Sequence, residues 1–198
     1  MPKRSKEDAA RTRSAILGRA TALGSIEGLE ALSIGRLADE LGLSKSGVYG
    51  HFGSKERLQL AAVETALVQF REEVWEPAAD ERPGLERLRA VMEAWLSYLQ
   101  RSVFPGGCFL TAASLEFDDR PGAVRDLVAA AWRRWLRVLG QEVATAQAQG
   151  ELPPELDPEQ VAFQLNGYVM AGNWAKQLFG DAQALGASRR SINDLLGG

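Results

Sequence analysis

The stretch SIGRLADELGLSKSGVYGHFGSKERL, residues 33–58, concentrates side chains able to do chemistry: four serines, Lys45 and Lys55, Tyr49 and the only histidine, His51. A histidine can act as a general base, but that role needs a nucleophile and a fixed partner within hydrogen-bond reach, and the neighbouring residues suggest neither. Standing one position before the apolar Phe52, His51 suits contact with a phosphate or a base better. One cysteine with one histidine cannot build a Cys/His zinc cluster, and a single cysteine cannot close an internal disulfide. Cys108 follows two glycines with no basic neighbour to lower its pKa, so it reads as a small packing residue. The acidic run EFDD at 116–119 reads as a solvated helix end. No paired carboxylates, nucleophile set or phosphate-binding loop appears, so the expectation is no enzyme, no metal and no cofactor.

What remains is a set of donors suited to a polyanion. Ser44, Ser46, Gly47 and Gly50 are small enough to let a helix backbone approach a duplex closely. Ser44, Ser46 and Lys45 offer donors to base edges and phosphates, and Tyr49 offers a hydroxyl at a groove wall. Ser54 and Lys55, at the start of the following helix, add amides and a charge suited to phosphate.

Those side chains need short helices to hold them. Ser33 opens a helix whose apolar face is Ile34, Leu37, Ala38 and Leu41, and Gly42 ends it. Ser44 caps the next, with Val48 and Phe52 inward at i,i+4, and Gly53-Ser54 closes it and caps a fourth reaching about Trp75. Two short helices joined by LGLS have helix-turn-helix proportions. Upstream, Ser5 can cap a first helix with Ile16, Ala20 and Leu23 buried and Gly24 as its end. Apolar residues at three- and four-residue spacing recur throughout, and strand-like alternation is absent, so the whole chain reads as all-α. Downstream helices are expected over 84–101, about 121–149, from Asp157-Pro158 to about Phe179, and to near Leu196; FPGGCF, EFDDRPG and GELPPELDP are breaks.

Taken together, LSIGRLADELGLSKSGVYGHFGSKERLQLAAVE resembles the DNA-binding head of the TetR family of bacterial transcriptional regulators, over residues 9–64. The resemblance implies base and phosphate contacts from Ser33, Ser44, Lys45, Ser46, Gly47, Tyr49 and His51, with Lys55 on the DNA backbone and Val48 and Phe52 in the core of the head. Gly50 stands where the family more often carries a large polar residue, and Gly35 thins the second helix. The implied architecture is an N-terminal three-helix helix-turn-helix head, residues 1–53, joined by a connecting helix to a helical ligand-binding and dimerisation body, residues 54–198. The implied partners are a double-stranded DNA operator, a small-molecule effector and a second copy of the chain.

The body is rich in large aromatics. Trp95, Phe109, Trp132, Asn166 and Trp174 are the candidate effector contacts: four rings for an apolar pocket and one amide on an otherwise apolar helix face. Ala162, Gly167, Ala171, Gly172 and Ala175 permit close helix approach and point to a dimer contact. The charge is asymmetric: residues 1–60 carry ten basic and seven acidic side chains, and the remainder carries the excess acid that makes the net charge −3. A modestly basic head on an acidic body fits a polyanion met by the head. The basic start leads into no apolar leader and no run spans a bilayer, so a cytoplasmic location is expected. The leading reading is a homodimeric, ligand-responsive repressor released from a pseudo-palindromic operator by a small apolar ligand. The competing one is a helical ligand-binding or interaction protein whose head no longer acts on DNA.

Overall fold

The computed structural model describes residues 6–181 and 183–197, so the expected cap at Ser5 lies outside the described residues. Every regular element among them is helical: α1 (Lys6–Glu27), α2 (Ile34–Leu41), α3 (Lys45–Phe52), α4 (Lys55–Phe70), α5 (Leu85–Gln100), α6 (Phe109–Phe117), α7 (Ala123–Ala148), α8 (Pro158–Phe179) and α9 (Ala184–Leu195). A π-helical turn, Arg71–Trp75, and a single 3-10 turn, Glu76–Ala78, prolong α4. The chain forms two compact units. One comprises the chain up to Val68 with Phe104–Val128, the other Gln69–Val103 with the chain from Ala129 onward. Both α4 and α7 contribute residues to each unit.

Local chemistry sets most boundaries in the first unit. The hydroxyl of Ser33 accepts from the amide of Arg36, that of Ser44 from Gly47 and that of Ser54 from Arg57, each at 3.0–3.1 Å. These bonds satisfy amides that a helix start leaves without partners. Gly42 and Gly53 end α2 and α3 at φ 63° and 74°, a left-handed backbone that costs glycine little. Leu37, Ala38, Val48 and Phe52 are buried beneath. Ile16, Ala20 and Leu23 form the buried stripe of α1 as expected.

The expected end of α1 at Gly24 is corrected: the helix continues to Glu27, and Gly24 is a packing site inside it. A Cβ on Gly24 would stand 3.0 Å from the ring of Phe109 on α6. Gly28, at φ 86°, makes the turn instead, its amide bonding the carbonyl of Gly24. Helix α6 is an element the periodicity did not announce. It is short, apolar on nearly every side and bounded by two breaks. Just ahead of it, the amide of Gly106 donates to Ser25 Oγ at 3.1 Å, and the backbone approaches so closely that a Cβ on Gly106 would overlap the Ser25 carbonyl.

In the second unit, α5 starts at Gly84, which has no capping side chain of its own. Carboxylates from elsewhere serve instead: Glu142 on α7 accepts from the amide of Gly84 at 2.8 Å, and Glu151 accepts from Leu85 at 3.0 Å. That backbone bond, with the Arg82 guanidinium, holds the Glu151 carboxyl below the usual range. Helix α8 begins as expected, with Asp157 accepting from Glu159 and Pro158 in the first turn. It lies against α9 through Gly172, where a Cβ would collide with the Ser188 hydroxyl, itself bonded to the Tyr168 carbonyl at 2.7 Å.

The glycines separate two physical roles. Gly106→Ala forces a methyl into the Ser25 carbonyl and is expected to lower the unfolding free energy by about 3 kcal/mol or more. Gly18, within α1 with open space around its would-be Cβ, is expected to gain about 0.5–1 kcal/mol on replacement by Ala through helix propensity. Urea unfolding of the two variants measures both.

Candidate nucleic-acid interface and effector site

The outward face of α3 is held from beneath and left open above. Val48 is fully buried and Phe52 nearly so, while Ser44, Lys45, Ser46, Tyr49 and Gly50 are exposed. Arg13 of α1 stacks on the Phe52 ring at 4.8 Å, which ties α1 to the inner face of α3. Gly47 and His51 are part-exposed, the histidine ring tilted against Phe52 at 6.2 Å. The stem of Lys45 runs over Gly35 of α2, where a Cβ would approach its Cε to 3.3 Å. The missing side chain at Gly35 therefore leaves room that the lysine stem uses. Ser33 is exposed at the start of α2, its hydroxyl engaged as a cap.

Two of the basic residues around α2 and α3 are engaged within the unit. Arg36 pairs with Glu27 and with Glu40, and Arg19 also pairs with Glu40. These hydrogen bonds hold the carboxyls of Glu27 and Glu40 below the usual carboxylate range. Lys55, expected on the DNA backbone, is paired inside the unit. Its Nζ bonds the Glu30 carbonyl at 2.6 Å and the Glu30 carboxylate at 2.9 Å.

That pairing belongs to a larger clamp. The amides of Leu29 and Glu30 donate to the two carboxylate oxygens of Glu116 on α6, at 2.6 and 2.8 Å. Gln59 on α4 donates to the Leu29 carbonyl and to the Glu30 carboxylate, both at 3.0 Å. Three side chains from α4 and α6 thus satisfy all four backbone polar groups of Leu29–Glu30. The bond from Gln59 and then that from Lys55 lower the Glu30 pKa. A cleft of about 360 Å³ opens beside the clamp, lined by Glu30, Gln59, Phe117, Arg120 and Arg125 among others. None of the five expected effector contacts lines it.

Those five residues are only partly brought together. Trp95 is fully buried on α5, and Trp132 of α7 lies beside it at 6.2 Å between ring centroids. Phe109 belongs to the first unit, where it packs on Phe104 and over Gly24. Trp174 is 55% exposed on α8 and meets Phe179 edge-on. Asn166 points its amide nitrogen at the sulfur of Met170, 3.1 Å away, and leaves its carbonyl oxygen buried without a hydrogen bond.

Around Trp95 stand three rings outside those five. Phe70, at the end of α4, meets Trp95, Tyr98 and Trp135 at 5.0–5.8 Å, each edge to face, and Trp95 meets Trp135 at 5.3 Å in the same way. The indole N–H groups of Trp95 and Trp135 are both buried without an acceptor among the described residues. Trp132 and Trp135 sit three residues apart on one face of α7, a spacing that was visible in the sequence. Phe70 and Tyr98 carried no local signal, because only the packing of α4 against α5 brings them together.

No group of three or more metal-ligating side chains occurs among the described residues, and no described helix is long and apolar enough to cross a membrane.

Known proteins share this arrangement. The family model for bacterial regulatory proteins of the tetR family matches residues 16–62, and that for the tetracyclin repressor-like C-terminal domain matches residues 84–192, more than half of the chain. A TetR transcriptional regulator from Chloroflexus aurantiacus is 26% identical, with 96% of each chain covered and a TM-score of 0.89. AibR, solved in complex with isovaleryl coenzyme A and operator DNA, is 25% identical over 92% of this chain and 97% of its own, with a TM-score of 0.74. Among curated relatives, the nucleoid occlusion factor SlmA of Vibrio campbellii is 31% identical over 80 residues. That match covers 40% of this chain and 41% of the relative.

The clamp makes a direct prediction. Glu116→Ala leaves the amides of Leu29 and Glu30 without their charged acceptor, a bond class worth about 1.5–3 kcal/mol. Hydrogen exchange at those two amides is expected to accelerate at least about tenfold, with amides of α8 unchanged as the internal control.

Proposed function

The chain belongs to the TetR family of bacterial regulatory proteins, and from that premise we propose that it is a homodimeric repressor that binds a pseudo-palindromic operator through α3 and leaves it when a small, mostly apolar effector occupies the body. The fold is that of a transcriptional regulator with a ligand-binding body, and TetR-family regulators are DNA-binding proteins, not enzymes. The observation that carries the finer reading is the open face of α3. Ser44, Lys45, Ser46 and Tyr49 stand out over a buried Val48 and Phe52, and glycines at 47 and 50 let the helix approach a groove floor. AibR, similar over nearly its whole length, is a protein that binds operator DNA and an acyl coenzyme A.

A dimer is supported by what α8 leaves uncovered. Phe163, Gly167, Ala171, Trp174 and Leu178 follow one another at three- and four-residue spacing and are all exposed, with the first and last at 65% and 62%. The expected small-residue stripe therefore splits in two. Ala162 and Gly172 are buried, Gly172 against α9 of the same chain, and Gly167 and Ala171 remain open with the large apolar residues. Such a face on a single chain fits a second copy. Two-fold pairing of two heads in turn matches two half-sites spaced by whole helical turns.

Release needs an effector that favours one arrangement of the heads, because equal affinity for both shifts nothing. Helix α4 starts after the cap at Ser54 and ends at Phe70 in the aromatic cluster, so a ligand that moves Phe70 acts on the helix that carries Lys55 and Gln59 of the clamp. Coupling of roughly 1–3 kcal/mol is enough for a 5- to 150-fold change in operator affinity.

Gel-shift on the upstream region of the protein's own gene, with a salt titration, tests the reading. Lys45→Ala is expected to change base preference at one position by about 1–3 kcal/mol. Lys55→Ala is expected to leave the salt slope unchanged, because its charge is held by Glu30; a slope lowered by about one would put Lys55 on a phosphate after all. Absence of any sequence-specific shift would favour the alternative of a helical binding protein that no longer acts on DNA. For the dimer, Phe163→Glu and Trp174→Glu are expected to sediment as monomers and to lose operator affinity, with the helical content retained.

A further inference from the structure

The aromatic cluster of the second unit says what kind of effector it takes. This rests on the reading of the body as an effector site. Two indole N–H donors, on Trp95 and Trp135, are buried without an acceptor among the described residues, and Trp95 is wholly inaccessible. A buried donor left unpaired is costly, and the large majority of such groups in folded proteins have a partner, from the protein, ordered water or a ligand. We infer that the effector is an uncharged, largely apolar molecule with a carbonyl-type oxygen, and that this oxygen accepts from the indoles of Trp95 and Trp135.

The other charge classes fit poorly. A quaternary ammonium is held against the faces of aromatic rings. Here the rings are packed on one another: Phe70 is edge-to-face with Trp95, Tyr98 and Trp135, and Trp95 with Trp135, at interplanar angles of 83–89°. An indole N–H presents positive charge, which repels a cation further. A carboxylate would need a cation beside it, since an isolated buried charge is far more costly than a neutral polar group. The basic residues of α7 next to the tryptophans, Arg133, Arg134 and Arg137, are exposed, and Arg101 of α5 is paired with Glu73. A ketone, ester or amide oxygen needs only the two donors, and its two lone pairs can take both.

The test uses the full-length protein labelled with nitrogen-15, whose five tryptophans give five indole resonances. Those of Trp95 and Trp135 are assigned by loss in Trp95→Phe and Trp135→Phe. The probes are benzophenone, its hydrocarbon counterpart diphenylmethane, benzoate and benzyltrimethylammonium. Benzophenone is expected to move both indole protons downfield and to bind about three- to tenfold more tightly than diphenylmethane, the span of about one net hydrogen bond. Each Phe variant should reduce that preference of ketone over hydrocarbon, whatever its effect on binding of diphenylmethane itself. Trp135 is less deeply buried, so Trp135→Phe carries the comparison if Trp95→Phe fails to fold. Unmoved indole resonances, equal affinity for ketone and hydrocarbon, or tighter binding of benzoate or the ammonium each overturn the assignment. Operator binding by the ligand-free protein is measured on the same samples. If it is retained while the indoles stay unmoved, only the effector class is wrong; if it is absent, the regulator reading fails whatever the indoles do.

Discussion

The loop between α1 and α2 holds a dipeptide, Leu29–Glu30, whose four backbone polar groups are all taken up by side chains or neighbouring backbone of the same unit. Glu116 accepts from both amides, Gln59 donates to one carbonyl and Lys55 to the other. A loop with unpaired amides and carbonyls at such a position would be unstable, because polar backbone removed from water needs partners. The clamp also explains the residue before it. Gly28 turns the chain at positive φ, and a Cβ there would stand 2.8–3.0 Å from the Glu116 carboxylate that the next two amides require. Helix α2 leaves directly from this loop, and α3 follows α2 after only three residues. The aim of the α3 face is therefore set by α4 and α6 as much as by the helices of the turn itself.

Charge in the head is organised by the same economy. Arg19, Arg36 and Lys55 are each paired with a glutamate of the same unit, which joins α1 to α2 and α4 to the loop between them. The pairs are exposed, and exposed pairs contribute little stability individually. Their larger effect is to engage three of the head's cations within the unit, while Lys45, its stem over Gly35, is exposed on the outward face of α3. A head with a formal surplus of only three positive charges can still present a basic, small-residue surface at one place.

In the second unit, aromatic rings do the work that charges do in the head. Phe70, Trp95, Tyr98 and Trp135 meet edge to face, an arrangement that favours ring packing and leaves the indole donors of Trp95 and Trp135 without an acceptor among the described residues. The π-helical turn Arg71–Trp75 begins directly after Phe70, so the ring that three others pack on sits where the regular helix ends. Beside the cluster, α5 depends on Glu142 and Glu151 for its first amides, so its start is defined by residues about sixty positions away.

What the sequence determined by itself was everything governed by neighbours within about four residues. Ser33, Ser44, Ser54 and Asp157 cap their helices because a side-chain oxygen reaches amides two or three residues on. Gly42 and Gly53 end helices because the left-handed backbone suits them, and Val48 and Phe52 turn inward because they share a helix face. The same short spacings carried the family resemblance. Tertiary structure decided the questions whose answers lie far along the chain. Gly24 looked like a terminator and is a seat for Phe109, and the ion pair between Lys55 and Glu30 joins residues twenty-five positions apart. Trp174, grouped with Trp95 by residue type, stands exposed on α8, and the rings that pack on Trp95 include Phe70 and Trp135. The physical reason is common to all of these. A helix start needs only local oxygens, whereas the partner of a ring, a charge or a glycine hydrogen is whichever distant surface the packed chain brings against it.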